Sequence, residues 1–108
     1  IESREEKARE IASEVKNRPF DLTVCPLLRL KLIKLDETEH LLVVVFHHII
    51  SDGWSVGVFL KELSAFYEAD LNNSDVSLPE LPLQYADYAV RQQNWLETGE
   101  YKRQLDFW

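Results

Sequence analysis

A run of apolar residues that ends in two histidines constrains the fold of this chain more than any other feature. The run, Leu41–Phe46, is continuous and rich in valine, which predicts a central strand covered on both faces. His47 and His48 follow at once, and Asp52 and Gly53 come just before a helical pattern. Titratable side chains at the end of a buried strand are costly unless they are paired or used. The sequence therefore predicts a functional site at this strand end.

Alternating leucines earlier in the chain predict a partner for this strand. Over residues 27–35 one face is apolar, and the alternation slips at Leu32–Ile33, which suggests a bulge or a strand end that twists out of register. The polar turn Asp36–Glu39 separates this segment from the second strand, predicted over residues 40–47. A connection of this length predicts an antiparallel hairpin.

Helical periodicity accounts for most of the remaining chain. Ser3 and Glu6 have the spacing of a capping box, and Gly99 is expected to end the third helix as a C-terminal cap. The predicted helices cover residues 4–17, 54–69, 83–97 and 100–108. Together with the hairpin they define an α/β chain.

Composition limits the classes of function. The chain has 108 residues, enough for one small domain, and 45% of them are hydrophobic, which fits a packed core. The net charge of −7 argues against nucleic acid and against an anionic membrane surface as partners. The single cysteine indicates a reduced compartment, so we expect a cytoplasmic protein. Because the chain opens without methionine and stops within a helical pattern, we expect it to be a piece of a longer protein.

The two adjacent histidines should have different tasks. Strand side chains alternate, so His47 and His48 are expected to point to opposite faces, with one available for chemistry and the other packed and hydrogen-bonded. In the simplest interpretation both histidines are satisfied core residues and Asp52 only caps the following helix. A histidine general base at the mouth of a cleft is the functional interpretation, because imidazole can take a proton from an amine or hydroxyl at neutral pH. A buried Asp52 would then brace the loop, and Gly53 would allow a close approach of substrate.

Two other interpretations are less favoured. A metal site lacks further ligands, since neighbouring residues on a strand diverge and only His40 lies nearby. A serine nucleophile at Ser51 or Ser55 lacks the G-x-S-x-G turn that would present it. We therefore predict no metal ligands.

The segment His47-His48-Ile49-Ile50-Ser51-Asp52-Gly53 resembles the His-His-x-x-x-Asp-Gly signature of condensation domains of nonribosomal peptide synthetases, which belong to the chloramphenicol acetyltransferase-like superfamily. Pro26–Arg29 resembles the family's preceding strand, Trp54-Ser55 is typical of its peptide-bond-forming members, and Gln84–Ala89 resembles its next motif. The resemblance covers nearly the whole chain. Epimerization domains, by contrast, tend to place the tryptophan after the serine.

The resemblance implies a fold and an activity. The full domain has two acetyltransferase-like lobes, and the tunnel between them admits the phosphopantetheine arms of donor and acceptor peptidyl carrier proteins. The acceptor amine attacks the donor thioester, so the domain binds no cofactor directly and works beside an adenylation domain. Residues 1–108 would be the second part of the N-terminal lobe, with the second lobe absent.

The resemblance also implies roles for individual residues. His48 is the catalytic histidine, His47 supports it, and Asp52 is structural and usually paired with an arginine. Gly53 lies near the thioester, and Trp54 and Ser55 are expected along the substrate tunnel. The family's arginine-bearing motif is missing from this chain, and Arg29 is the only arginine on a neighbouring strand that could substitute. An alcohol or amine acyltransferase of the same superfamily and a non-catalytic lobe that docks carrier proteins are the alternatives.

Overall fold

The computed structural model describes residues 3–108 and contains the predicted hairpin and four helices. The elements in chain order are α1 (Arg4–Asn17), β1 (Leu28–Lys34), β2 (His40–Phe46), α2 (Gly53–Leu71), α3 (Tyr85–Leu96) and α4 (Gly99–Phe107). The predicted boundaries agree with these to within two residues. The chain forms two compact units, Ile1–Glu68 and Ala69–Trp108, and the predicted functional site lies in the first.

The capping box predicted at the start of α1 is confirmed. The Glu6 N–H donates to Ser3 Oγ at 3.1 Å, and the Ser3 N–H donates to the Glu6 carboxylate at 2.8 Å. The helix then packs against both strands of the hairpin. Ala8, on its apolar face, is 3% exposed and is the one buried residue among residues 3–108. A small residue at this position lets the helix approach the hairpin closely.

The hairpin is antiparallel, as predicted, and its register is continuous. Pairs run without interruption from Leu28 opposite Phe46 to Lys34 opposite His40. The bulge predicted at Leu32–Ile33 is therefore wrong, because both residues keep their partners and the apolar Ile33 simply lies on the second face of the pleat.

The second strand was expected to be covered on both faces, and in this chain it is not. Among residues 3–108 it pairs only with β1, in a two-stranded sheet, and its residues range from half-buried to exposed. α1 packs on the hairpin, and the Phe59 ring of α2 meets the Phe46 ring edge-on at 5.1 Å between centroids. Leu30 and Leu32 remain 56% and 64% exposed. The described residues thus bury the hairpin only in part, although the apolar sequence of β2 predicts burial of both faces.

α2 ends in a complete Schellman motif that is built on an asparagine. Asn73 has a left-handed backbone with φ of 49°. Its N–H donates to Asp70 O, and the next N–H, that of Ser74, donates to Ala69 O at 2.9 Å. Asparagine tolerates this conformation better than most residues with a Cβ, which explains why the helix stops here.

The second unit contains α3 and α4, and one prediction about it is wrong. Gly99 does not cap α3; it is the first residue of α4, and its φ is not positive. α3 instead ends at Leu96 with Glu97 in a right-handed conformation, and the extended backbone of Thr98 begins the next helix at once. The Trp95 and Tyr101 rings pack edge-on across this connection at 5.5 Å.

Within residues 3–108 no helix combines the length and the apolar character needed to cross a bilayer.

Candidate active site at the end of β2

The chain leaves β2 through a tight turn whose backbone is fixed at His47. The His47 N–H donates to Leu27 O at 3.0 Å, which adds one bond to the hairpin beyond Phe46. The His47 carbonyl then accepts from the Ile50 N–H at 3.1 Å and from Ser51 Oγ at 3.2 Å. Both main-chain groups of His47 are therefore bonded, and the turn that follows has a defined start.

The side chain of His47 also holds this turn. Its Nδ1 accepts a hydrogen bond from the Ile49 N–H at 3.0 Å, a bond that requires the lone pair of Nδ1. The half-buried imidazole meets the ring of Phe20 edge-on, with the centroids 5.8 Å apart. His47 is thus the packed and hydrogen-bonded member of the histidine pair.

His48 lies at the corner of the turn with its side chain exposed. Strand alternation was the expected reason for the separation of the two histidines, and this reason is wrong, since β2 ends at Phe46 and both histidines lie beyond it. The turn separates them instead. Its flanking peptide groups are bonded at His47 and Ile50, and the His48 side chain between them is exposed.

Asp52 and Ser55 cap the start of α2 reciprocally. The Asp52 N–H donates to Ser55 Oγ at 2.7 Å, and the Ser55 N–H donates to Asp52 Oδ1 at 2.9 Å. The first helical bond follows, from the Val56 N–H to Asp52 O at 3.1 Å. This arrangement is a capping box with an aspartate at the N-cap and a serine at the third helical position. It fixes the point at which the turn enters the helix.

The expectation that Asp52 is buried is wrong for this chain, because its side chain is exposed. Hydrogen bonds from the Ser55 backbone N–H and the Ser55 hydroxyl hold the pKa of Asp52 below its ordinary value. The Trp54 N–H and the charge of His48 act in the same direction, and desolvation opposes them. Asp52 is therefore ionised at neutral pH and suited to capping rather than to accepting a proton.

Arg29 does not substitute as the partner of Asp52. Its guanidinium donates to three main-chain carbonyls, those of Val15 at 3.2 Å, Arg18 at 2.5 Å and Pro19 at 2.6 Å. The same group lies over the ring of Phe20, with Cζ 3.9 Å from the ring centroid. Arg29 therefore belongs to the junction between α1 and β1.

The residues that follow Asp52 lie at the surface of this chain. Trp54 is 84% exposed, and a Cβ added at Gly53 would meet no atom within 4 Å. Nothing among the described residues requires a glycine there. The Ser55 hydroxyl is occupied, since it lies 3.0 Å from both Asp52 O and Asp52 Oδ1. Ser55 is a capping residue here and is not free to act as a nucleophile.

Other kinds of site find little support in the described part of the chain. Residues 3–108 contain no group of three His, Cys, Asp or Glu side chains that could hold a metal ion. A depression of about 340 Å³ lies at the C-terminal end of α4. It is lined by Arg103, Gln104, Phe107 and Trp108. His48 contributes nothing to it.

Phe20 is the residue of the site that the sequence did not indicate. It lies in the connector after α1, 27 positions before His47, and no spacing pattern links the two. Arg29 is one of the few charged residues within a strand, and this was a weak indication that its guanidinium binds the connector after α1. Its actual partners are main-chain carbonyls, which leave no trace in a sequence.

The hairpin and the four helices are consistent with an acetyltransferase-like lobe, and the condensation-domain family model matches residues 1–108 in full. The chain therefore belongs to the condensation domain family, whose members in nonribosomal peptide synthetases form peptide bonds.

Similar curated proteins are large peptide synthetases. The chain is 46% identical to a linear gramicidin synthase of Brevibacillus parabrevis over 97% of its own length and 1% of that protein. It is 45% identical to gramicidin S synthase 2 of Aneurinibacillus migulanus over 84% of its length and 2% of that protein. It is 41% identical to the phosphinothricin tripeptide synthetase PhsC of Streptomyces viridochromogenes over 91% of its length and 9% of that protein. The chain thus spans a small part of each relative. No solved structure matches it significantly.

Proposed function

We propose that this chain is the second part of the N-terminal lobe of a condensation domain that forms amide bonds between carrier-bound aminoacyl or peptidyl thioesters. In the reaction the acceptor amine attacks the donor thioester carbonyl, the C–N bond forms, and the C–S bond breaks. The donor phosphopantetheine arm leaves as a thiol, taking up the proton that the amine gives up. The substrates thus arrive on the phosphopantetheine arms of donor and acceptor carrier proteins, with no other cofactor.

The observation that carries this proposal is the placement of His48 in a chain that the condensation-domain family matches from end to end. Its imidazole is exposed at the corner of a turn whose neighbours are bonded in place. An imidazole so placed can take the proton of an attacking amine at neutral pH, or hold that amine against the thioester. We assign His48 as the catalytic residue.

The other site residues prepare this geometry. His47 holds the turn, and Asp52 fixes the start of α2 by capping it together with Ser55. Gly53 and Trp54 are exposed here, and we assign them to the tunnel wall, where the thioester arm would pass close to the backbone of Gly53. Ser55 borders that wall and keeps its capping role.

The remaining part of the domain is a partner that this function requires. Large apolar side chains such as Leu30, Leu32 and Trp54 are more than half exposed, and patches of this kind commonly mark surfaces that pack against other protein. We propose that the rest of the N-terminal lobe covers the hairpin and that the second lobe faces His48. The domain would work in the cytoplasm beside an adenylation domain, and the isolated chain should not condense substrates.

The test is dipeptide formation by the intact domain with two loaded carrier proteins. His48→Ala should lower the transfer rate by about 100-fold or more, the range of general acid–base catalysis, while both carriers load normally. His40→Ala is the matched control, because His40 is an exposed histidine at the start of β2.

Each alternative has its own result in this experiment. Undiminished transfer by His48→Ala would refute the assignment and favour a lobe that only docks carrier proteins. Acylation of a hydroxyl acceptor, with none of the amine, would favour an alcohol acyltransferase of the same superfamily.

A further inference from the structure

We infer that Phe20 and Arg29 are positioning residues that hold the His47 imidazole, and through it the turn that carries His48. This inference rests on the proposed function only for its kinetic consequence. Its structural part concerns contacts within Ile1–Glu68 and can be measured without any turnover.

The first step is the anchoring of the connector by Arg29. The guanidinium projects from β1 and donates to the carbonyls of Arg18 and Pro19 at 2.5 and 2.6 Å, the two residues that follow α1. A third bond, to Val15 O, reaches the last turn of the helix. Charged donors form stronger hydrogen bonds than neutral ones. Arg29 thereby fixes the path of the chain that leads into Phe20.

The second step is the contact of the Phe20 ring with the Arg29 guanidinium and with the His47 imidazole. The Arg29 guanidinium lies 3.9 Å from the centroid of Phe20, a cation–π distance. The His47 imidazole meets the same phenyl ring at 5.8 Å and an interplanar angle of 85°. Edge-to-face pairs have a preferred geometry. The fixed phenyl ring therefore restricts the rotation of the imidazole.

The third step is the dependence of the turn on that imidazole. The Ile49 N–H has His47 Nδ1 as its acceptor at 3.0 Å, and His48 lies between these two residues. If the His47 ring rotated, this N–H would lose its acceptor and one restraint on the peptide groups around His48 would disappear. A displacement of about 1 Å in a catalytic group can lower a rate by about 100-fold.

The test uses Phe20→Leu and Arg29→Gln in the intact condensation domain, with Arg9→Gln as the matched control for loss of an arginine. Arg9 is an exposed residue of α1. Both test variants should lower the transfer rate by about 10- to 100-fold without changing the KM for the loaded acceptor carrier. Arg29→Lys should recover part of the loss, because an ammonium can still donate to the carbonyls and lie over the ring.

A second readout reports on His47 directly. In the wild-type domain the ¹⁵N resonances of its imidazole should identify Nδ1 as an unprotonated acceptor. In Phe20→Leu and Arg29→Gln these resonances should move toward the average of two tautomers. In a His47→Asn background Phe20→Leu should have no further effect on the rate, since the asparagine side chain can accept from the Ile49 N–H without a ring beside it.

The outcomes separate this inference from the proposed function. A normal transfer rate in Phe20→Leu, or a lowered rate with unshifted His47 resonances, overturns the inference and leaves the function of the domain intact. If His48→Ala transfers normally, the proposed function fails. The imidazole resonances then decide alone whether Phe20 and Arg29 hold His47: shifted resonances support that part, and unshifted ones refute it. Phe20→Leu keeps an apolar side chain of similar size, so it remains informative if Arg29→Gln does not fold.

Discussion

Two substitutions at His47 separate its packing from its hydrogen bond. His47→Phe keeps a ring beside Phe20 and removes the Nδ1 acceptor of the Ile49 N–H. His47→Asn removes the ring and keeps an acceptor, because an asparagine side chain commonly accepts from the N–H two residues ahead. The pair therefore changes one contact at a time.

The expected costs in stability are similar. The lost hydrogen bond in His47→Phe is worth about 0.5–1 kcal/mol, toward the lower part of the usual range because Ile49 is 64% exposed and water can replace the acceptor. The lost ring contact in His47→Asn is worth about 0.5–1.5 kcal/mol. Urea unfolding of the intact domain should give both free energies with an unchanged m-value.

The transfer rates should nevertheless differ. His47→Phe releases the turn at Ile49 and should lose about 10-fold or more in single-turnover transfer between loaded carriers, whereas His47→Asn should keep most of the wild-type rate. Equal rates for two equally stable variants would refute the reasoning, because the hydrogen bond to Ile49 would then have no part in placing His48.

Further predictions concern the two ends of α2. Hydrogen bonds from Ser55 lower the pKa of Asp52 in the folded state. The ionised Asp52 should therefore contribute fully to stability at a pH above its unfolded pKa of about 3.9, and this contribution should be lost as the pH falls through its folded pKa. Asp52→Asn should flatten that part of the acid-unfolding profile, since an amide caps the helix without titrating, and an unchanged profile would contradict the assignment. At the other end, Asn73→Gly should leave stability nearly unchanged while Asn73→Ala lowers it by about 1 kcal/mol, because only the alanine is strained at a φ of 49°. Chemical denaturation measures the stability of both Asn73 variants, and equal effects of glycine and alanine would argue against a left-handed C-cap.

Local chemistry made much of the fold predictable from the sequence. The capping box at Ser3 and Glu6 involves residues three apart, and the turn at Asp36–Glu39 fixes the hairpin. Such features depend on few neighbours, so spacing alone identifies them. The prediction for Gly99 was wrong because a glycine after a helix can either end that helix or begin the next one. The extended backbone of Thr98, which is the N-cap of α4, makes Gly99 the first residue of the next helix.

The candidate site was predictable in position but not in detail. The histidines, Asp52 and Gly53 stand out because polar residues follow an apolar run. The exposure of Asp52 could not be foreseen, since burial depends on which segments pack over a residue and not on its neighbours in the sequence. The contact of Phe20 with His47 could not be foreseen either, because it joins segments that are distant in sequence.

The hydrogen bonds that shape the turn have a directional property along the chain. Within the turn and the helix start they join residues two to four apart. His47 also has two longer-range partners, the Leu27 carbonyl and the Phe20 ring, and both lie upstream of it in the sequence. During vectorial synthesis on the ribosome, every one of these partners has emerged once Ser55 leaves the exit tunnel. Local turns form within microseconds, far faster than residues are added. The turn that holds His48 can therefore take shape before any residue downstream of Ser55 has left the ribosome.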